Sequence, residues 1–159
     1  MRLTYTSCQS INKGIGLSLN TGLTTFSAIL TFAIDLEGKS TQYYEAAAKV
    51  SGDLTETFEN YARRSAKRQQ RLTAIRQDNI TEIVLEPISG LNVADYQIGD
   101  YQPTDRHDAL TQALELEGRV KQFYLDAEPK LNVTEPRRAF QKMALENDER
   151  LTELNDALG

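Results

Sequence analysis

Two stretches of this sequence decide the fold: Ala-Ile-Asp-Leu-Glu-Gly-Lys at residues 33–39 and Ala-Leu-Glu-Leu-Glu-Gly-Arg at residues 113–119. The match extends over fifteen positions, seven of them identical. The identical pairs are Ala33/Ala113, Leu36/Leu116, Glu37/Glu117, Gly38/Gly118, Gln42/Gln122, Tyr44/Tyr124 and Ala47/Ala127. Amphipathic helices commonly share leucine and alanine, but a shared Glu-Gly inside two apolar stripes indicates an internal duplication.

Helical periodicity surrounds both stretches and predicts one helix over residues 22–50 and another over residues 105–128. Two further amphipathic helices are predicted over residues 53–78 and 135–158, the latter starting after Thr134, and they match each other more weakly. The connection within each pair is only a few residues long, so each pair is expected to form an antiparallel hairpin. The sequence therefore predicts an all-α domain over residues 21–159, built from two repeated helical hairpins.

Residues 79–104 join the two hairpins and are interrupted by prolines and glycines, which exclude a long helix. The segment is too apolar for a disordered linker, so it is expected to lie packed on the domain. An extended chain of this length spans a helix of about 38 Å with slack, which predicts a crossover connection. Residues 1–20 show no sustained periodicity and are interpreted as an irregular N-terminal arm.

The start of each first helix has a candidate cap in the sequence. Asn20 or Thr21 is expected to cap the first helix, and Thr104 is expected to cap the third, because short polar side chains accept hydrogen bonds from free helical N–H groups. These residues set the predicted limits of the two helices that carry the repeated motif.

The composition is typical of a water-soluble globular chain, with 26% charged residues, 40% hydrophobic residues and a formal net charge of −5. Acidic and basic residues are interspersed, which argues against nucleic acid as a partner. The most apolar stretch, residues 23–34, is too short to span a bilayer, so no membrane partner is expected. Cys8 is the only cysteine, which excludes an internal disulfide and is compatible with a cytoplasmic location.

Two acidic residues of the repeat lie on stripes that should face the core. Glu37 and Glu117 would be costly to bury unless each were paired with a cation or a metal. Gly38 and Gly118 follow them directly. A glycine inside a helix costs about 1 kcal/mol relative to alanine, so its presence twice predicts a close approach of neighbouring helices at both positions.

Two helical hairpins joined by a long crossover, with an inward glutamate and a following aromatic pair in each first helix, resemble the ferritin-like superfamily. The closest resemblance is to its rubrerythrin-like branch, and it covers residues 22–158. The resemblance implies a four-helix ferritin-like bundle, in which the first and third helices each supply a Glu and the second and fourth each supply a Glu-x-x-His pair to a di-metal site. Glu37 and Glu117 fall on the ligand positions of the first and third helices.

The other four ligand positions of that family are substituted in this chain. Ser65 and Arg68 stand where the Glu-x-x-His pair of the second helix is expected, and Asn147 and Arg150 stand where that of the fourth is expected. The only histidine, His107, lies about 15 Å along the third helix from the inward glutamate, so we expect a solvated surface residue. The resemblance therefore implies a degenerate di-iron site.

We interpret the two arginines as cations that take the place of the metals. Arginine stays charged in proteins and grips a carboxylate with two donors, so Glu37–Arg68 and Glu117–Arg150 ion pairs would leave the site neutral. The alternative is that both arginines extend to solvent while the glutamates have other partners. Tyr44 and Tyr124 are also expected to line this site.

Three interpretations of the function follow from these residues. The first is a ferritin-like structural or binding protein that has lost its di-iron centre, needs no cofactor and assembles as a homodimer or a higher homo-oligomer. The second is an oxidoreductase or iron-handling protein in which Glu37 and Glu117 weakly hold iron or another divalent metal. The third is an unrelated four-helix bundle with a coincidental repeat. We favour the first, which is not an enzyme, because two arginines would repel a metal ion.

Overall fold

The computed structural model describes residues 22–79 and 87–159, and within them the chain is mostly helical. The helices are α1 (Phe26–Ala48), α2 (Thr55–Asp78), α3 (Val93–Tyr96), α4 (Arg106–Ala127) and α5 (Thr134–Leu158). These two ranges contain no β-strand, so the predicted all-α class is confirmed. The predicted arm at residues 1–20 lies outside the described residues. None of the described helices has a stretch that is long and apolar enough to cross a bilayer.

The first helix starts later than the sequence predicts. α1 begins at Phe26, and its N-cap is Thr25 rather than Asn20 or Thr21. The Thr25 hydroxyl oxygen accepts a hydrogen bond from the Ala28 N–H at 3.0 Å, which satisfies one free donor of the first turn. The predicted caps are therefore wrong, because the residues just before Thr25 belong to an extended segment.

The cap of α4 is also displaced by one residue. Asp105, rather than the predicted Thr104, has the extended backbone of an N-cap, and its carboxylate accepts a hydrogen bond from the Asp108 N–H at 2.9 Å. A carboxylate at this position interacts more favourably with the positive end of the helix dipole than a hydroxyl does. Thr104 instead donates its hydroxyl hydrogen to the Asp108 side chain at 2.5 Å.

α1 and α2 form the first antiparallel hairpin. Arg76, near the end of α2, donates to the hydroxyl of Thr31, near the start of α1, at 3.0 Å. Phe58, near the start of α2, stacks against Tyr44, near the end of α1, with ring centroids 5.7 Å apart. The connecting turn contains Gly52, whose φ of 59° lies in the left-handed region that favours glycine.

α4 and α5 form the second antiparallel hairpin. Tyr124, near the end of α4, packs edge-on against Phe140, near the start of α5, with ring centroids 4.9 Å apart. Further along, the Asn147 side chain of α5 donates to the Glu117 carboxylate of α4 at 2.6 Å. In both hairpins the two helices therefore run antiparallel, as the sequence predicts.

Positions that the sequence comparison equates are buried in both hairpins. In α1 and α4 these pairs are Ala33/Ala113, Leu36/Leu116, Glu37/Glu117, Tyr43/Phe123, Tyr44/Tyr124 and Ala47/Ala127. In α2 and α5 they are Phe58/Phe140, Tyr61/Met143, Ala62/Ala144, Ser65/Asn147, Arg68/Arg150 and Leu72/Leu154. The hairpins therefore share one core through equivalent faces. Leu158 is 39% exposed because it lies in the last turn of α5.

The described part of the crossover packs on the domain, as predicted. The Leu23 N–H donates to the Leu91 carbonyl at 3.0 Å, so the extended residues before α1 pair with the crossover. Tyr96 of α3 is buried and contacts Phe32 of α1 and Phe123 of α4, at ring-centroid distances of 6.5 and 5.4 Å. The short helix α3 therefore covers the junction of the two hairpins.

The two glycines inside the helices have different surroundings. A Cβ added at Gly38 would lie 2.8 Å from the side-chain nitrogen of Gln69, so the predicted close approach is present there. A Cβ added at Gly118 would meet no neighbouring group within 4 Å, so the prediction is wrong at that position. Leu151 of α5 occupies the place equivalent to Gln69, and this shorter side chain does not reach the glycine.

Gly118→Ala is expected to raise the free energy of unfolding by about 1 kcal/mol, since alanine is the better helix former and the added methyl group meets open space. Gly38→Ala is expected to gain less, because the Gln69 amide must move aside. Urea unfolding followed by circular dichroism measures both values. Equal gains at the two positions, or a loss at Gly118, would contradict this assignment.

Candidate functional site

Six polar side chains meet in the centre of the core. They are Glu37 of α1, Ser65 and Arg68 of α2, Glu117 of α4, and Asn147 and Arg150 of α5. None is more than 5% exposed, although charged side chains are seldom buried unless they are paired. The structure brings together the six residues that the sequence predicts as one site.

The Glu117 carboxylate is satisfied on both oxygens. Oε1 accepts from the Tyr44 hydroxyl at 2.5 Å and from Arg150 Nη1 at 3.0 Å. Oε2 accepts from Asn147 Nδ2 at 2.6 Å. One ionic and two neutral donors therefore hold this charge in a site that water does not reach.

The Glu37 carboxylate is held less completely. Its Oε1 accepts from the Tyr124 hydroxyl at 2.5 Å and from Arg68 Nη1 at 3.3 Å. Its Oε2 is buried and has no hydrogen-bond partner among the residues that the structure describes. The two glutamates therefore occupy equivalent positions but differ in how their negative charge is stabilised.

Each of the two tyrosines at the site donates a hydrogen bond to the glutamate of the other hairpin. Tyr44 of α1 donates to Glu117 of α4, and Tyr124 of α4 donates to Glu37 of α1. Burial, followed by the charge of Glu117, raises the pKa of Tyr44 well above its usual range. Burial, followed by the charge of Glu37, raises the pKa of Tyr124 in the same way. Both hydroxyls therefore remain protonated hydrogen-bond donors at neutral pH.

Arg68 has a second carboxylate partner that sequence reasoning missed. Its Nη1 donates to Glu37 at 3.3 Å and to Asn147 Oδ1 at 2.9 Å, which forms the predicted ion pair. Its Nε and Nη2 donate to Glu146 Oε2 at 3.0 and 2.8 Å. Burial, the largest single effect, lowers the pKa of Arg68, but the nearby Glu37, Tyr124, Glu117 and Glu146 together outweigh it and raise the pKa, so the guanidinium stays charged.

Glu146 is the residue of the site that the sequence analysis does not identify. Its side chain is 23% exposed and reaches inward to Arg68. The available signal was its position three residues after Met143, at the edge of the buried stripe. Glu146 also changes the net charge of the site. Three carboxylates contact two guanidiniums, whereas the sequence predicts two of each and a net charge of zero.

Arg150 is enclosed by aromatic rings instead of a second carboxylate. Its Nη1 donates to Glu117 at 3.0 Å and to Ser65 Oγ at 3.2 Å, which forms the other predicted ion pair. Its Nε and Nη2 have no hydrogen-bond partner within the described part of the chain. The guanidinium carbon lies 4.9 Å from the ring centroid of Tyr61 and 5.8 Å from that of Tyr44. Cation–π attraction, about 2 kcal/mol for a desolvated pair, partly offsets the missing hydrogen bonds.

Asn147 links the two halves of the site. Its Oδ1 accepts from Arg68, which is paired with Glu37, and its Nδ2 donates to Glu117. The orientation of this amide follows from its neighbours, since only the oxygen can accept from a guanidinium and only the nitrogen can donate to a carboxylate. The six side chains therefore form one continuous network rather than two separate pairs.

The donor set does not suit a di-metal centre. Among the described residues, no three His, Cys, Asp or Glu side chains are grouped so that they could hold a metal ion. Both central carboxylates already accept from a guanidinium and a tyrosine, and a metal ion between them would face two fixed positive charges. His107 is exposed in the first turn of α4, as predicted, and cannot contribute an imidazole.

The chain matches no protein-family model, no curated protein and no solved structure. The ferritin-like resemblance therefore stays a prediction from the sequence motifs. The interpretation of function depends on the chemistry of the six central side chains.

Arg150→Met is expected to lower the free energy of unfolding by about 3–5 kcal/mol, because it leaves the buried Glu117 charge without its cation. Adding Glu117→Gln to the same chain removes that charge and is expected to recover much of the loss. Urea unfolding of the two single variants and the double variant measures the coupling.

Arg106→Met is the matched control, because the Arg106 ion pair with Asp53 lies on the surface. This variant is expected to change the free energy of unfolding little. Equal losses in Arg106→Met and Arg150→Met, or no recovery in the double variant, would contradict a buried ion pair at the centre of the core.

Proposed function

We propose that this chain is a ferritin-like, rubrerythrin-like four-helix bundle whose di-iron centre has been replaced by internal ion pairs. It acts as a structural or binding protein and requires no metal or other cofactor. The observation that carries this proposal is the placement of two buried guanidiniums against the carboxylates at the ligand positions. Arg68 lies 3.3 Å from Glu37 and Arg150 lies 3.0 Å from Glu117.

The path of the chain supports the bundle arrangement in this proposal. Two antiparallel hairpins share one core, and Tyr96, in the described part of the connection between them, packs at the junction of α1 and α4. Glu37 and Glu117 are joined across that junction by the exchanged tyrosines. The resemblance implies that the glutamates of the first and third helices meet at one site, and this contact between the hairpins supports that arrangement.

The chemistry of the site supports a role other than catalysis. A metal centre contributes its binding energy to folding and leaves positions open for substrate. Here the carboxylates are already held by internal donors. A core of this kind supports a fixed scaffold, whose outer surfaces make the functional contacts.

The alternative function is that of an oxidoreductase or iron-handling protein with a reduced metal site at Glu37 and Glu117. One observation favours it, since Oε2 of Glu37 is buried without a donor among the described residues. A single free carboxylate oxygen in a site that also holds two guanidiniums is nevertheless a weak ligand set for iron. The metal content of the protein separates the two proposals.

Protein purified without chelator is expected to contain no stoichiometric iron, manganese or zinc by elemental mass spectrometry. Restoring the family's ligands with Ser65→Glu, Arg68→His, Asn147→Glu and Arg150→His is expected to create a site for two Co(II) ions per chain, detected by their visible absorption. The physical reason is that the four changes remove both cations and supply two carboxylates and two imidazoles.

Arg68→Gln with Arg150→Gln is the control, since it removes the cations without adding ligands, and it should bind no Co(II). Circular dichroism establishes that each variant is helical. Stoichiometric iron in the unmodified chain would support the alternative function. A folded four-residue variant that binds no Co(II) would contradict the assignment of the ligand positions.

We also propose that the protein is a cytoplasmic homodimer. The cleft between α4 and α5 is lined by Leu125 and Leu145, which are 47% and 67% exposed, whereas the equivalent residues of the first hairpin are Glu45 and Arg63. Exposed apolar side chains in one patch are typical of an interaction surface. A second copy of the chain is the partner that this proposal assigns to the patch.

Analytical ultracentrifugation is expected to show a dimer, and Leu125→Glu with Leu145→Arg, which copies the first hairpin, is expected to yield monomers. The reason is that charged side chains in the patch would have to be desolvated on association. A monomeric unmodified chain would contradict the homodimer and leave the metal-free core unaffected.

A further inference from the structure

A basic cleft lies between α2 and α5, on the side where Arg68 approaches the surface. It has a volume of about 250 Å³. The charged residues that line it are Arg64, Lys67, Arg68, Arg71, Lys142 and Glu146. Five cations and one carboxylate therefore surround a small space, in a chain whose overall formal charge is −5.

The spacing of the cations along α2 explains why they meet. Lys67 and Arg68 lie three and four residues after Arg64, and Arg71 lies four and three residues after them, which places these side chains on one face of a helix. Lys142 is added from α5, on the opposite wall of the cleft. Acidic and basic residues are mixed along the sequence, but the fold gathers these five cations around a single carboxylate in the cleft.

The single carboxylate cannot neutralise this cluster. Glu146 lies 2.8 Å from Arg68, and it lies 4.0 Å from both Arg64 and Lys142, at the limit of an ion pair. Within the described residues, Lys67 and Arg71 form no ion pair. Like charges that share a cleft repel one another, so a bound anion would lower the electrostatic energy.

We propose that this basic cleft binds a small multivalent oxyanion of the phosphate type, such as a diphosphate group. Arg64 and Arg71 offer planar guanidinium groups that bind phosphate oxygens in pairs, and Lys67 offers a compact ammonium charge. Arg68 forms the floor of the cleft, and all three of its side-chain nitrogens already donate to protein groups. It therefore attracts the anion through its field and does not bind it directly.

The size of the cleft limits the ligand. Its volume of about 250 Å³ lies just below the range of roughly 300–1,000 Å³ that holds drug-sized molecules. One or two phosphate groups fit this space, whereas a whole nucleotide would extend into solvent. The proposal is independent of the metal-free core, because none of the four outer cations contacts Glu37 or Glu117.

Isothermal titration of the full chain with sodium pyrophosphate at low ionic strength tests this site. Binding is expected with one pyrophosphate per chain, more tightly than inorganic phosphate, and is expected to weaken as sodium chloride is added. Lys67→Gln and Arg71→Gln are each expected to weaken binding about tenfold, because each removes one charge-assisted hydrogen bond. Glu146→Gln is expected to strengthen binding, because it removes the only competing carboxylate.

Arg63→Gln is the matched control: it removes the same charge from the same helix, but Arg63 lines a different cleft. It is expected to leave pyrophosphate binding unchanged. No binding by the unmodified chain at millimolar pyrophosphate, or equal weakening by Arg63→Gln, would overturn the proposal. Tighter binding of a single-stranded oligonucleotide, or of vesicles with anionic lipid, would overturn it in favour of a macromolecular partner. Metal content is measured separately, so failure here leaves the proposed loss of the di-iron centre standing.

Discussion

The burial of two carboxylates at the centre of the core is the constraint on which the rest of this structure depends. Glu37 and Glu117 lie where water cannot hydrate them, so every stabilising group must come from the protein. The cation comes from the second helix of the same hairpin, and a hydroxyl comes from the first helix of the other hairpin. A shift of any long helix by one turn would separate at least one of these contacts, so the carboxylates specify the register of the four long helices.

The arginines of the two hairpins have different second partners, and a difference between the two repeats explains why. Arg68 extends to Glu146 on α5. The residue equivalent to Glu146 in the first hairpin is Arg64, a cation, so Arg150 finds no acid in the corresponding place. The ring of Tyr61 lies beside it instead. This one difference between the halves pairs Arg68 with a carboxylate near the surface and leaves Arg150 enclosed by aromatic side chains.

Helical periodicity was enough to predict the four long helices, their pairing and the two inward glutamates, because a charge on an apolar stripe is a local signal. The positions of Ser65, Arg68, Asn147 and Arg150 at the same site were predicted from the resemblance to the ferritin-like ligand pattern. The role of Glu146 was not predictable in the same way, since its partner is set by the rotation of α2 against α5. The open space at Gly118 likewise depends on the reach of a residue on another helix. The N-caps at Thr25 and Asp105 were missed because each has an equally suitable polar residue nearby in the sequence.

The exchange of Tyr44 and Tyr124 also bears on how the chain assembles. Each hairpin carries a glutamate and an arginine that can neutralise each other, but the hydroxyl for each glutamate belongs to the opposite half. In a single hairpin the charges of the central glutamate and arginine therefore cancel, but the glutamate lacks one hydrogen-bond donor. The tyrosine of the other hairpin supplies that donor. The crossover acts as a tether that holds the counterpart at high effective concentration, so that completing the core is an intramolecular step and does not depend on the amount of protein present.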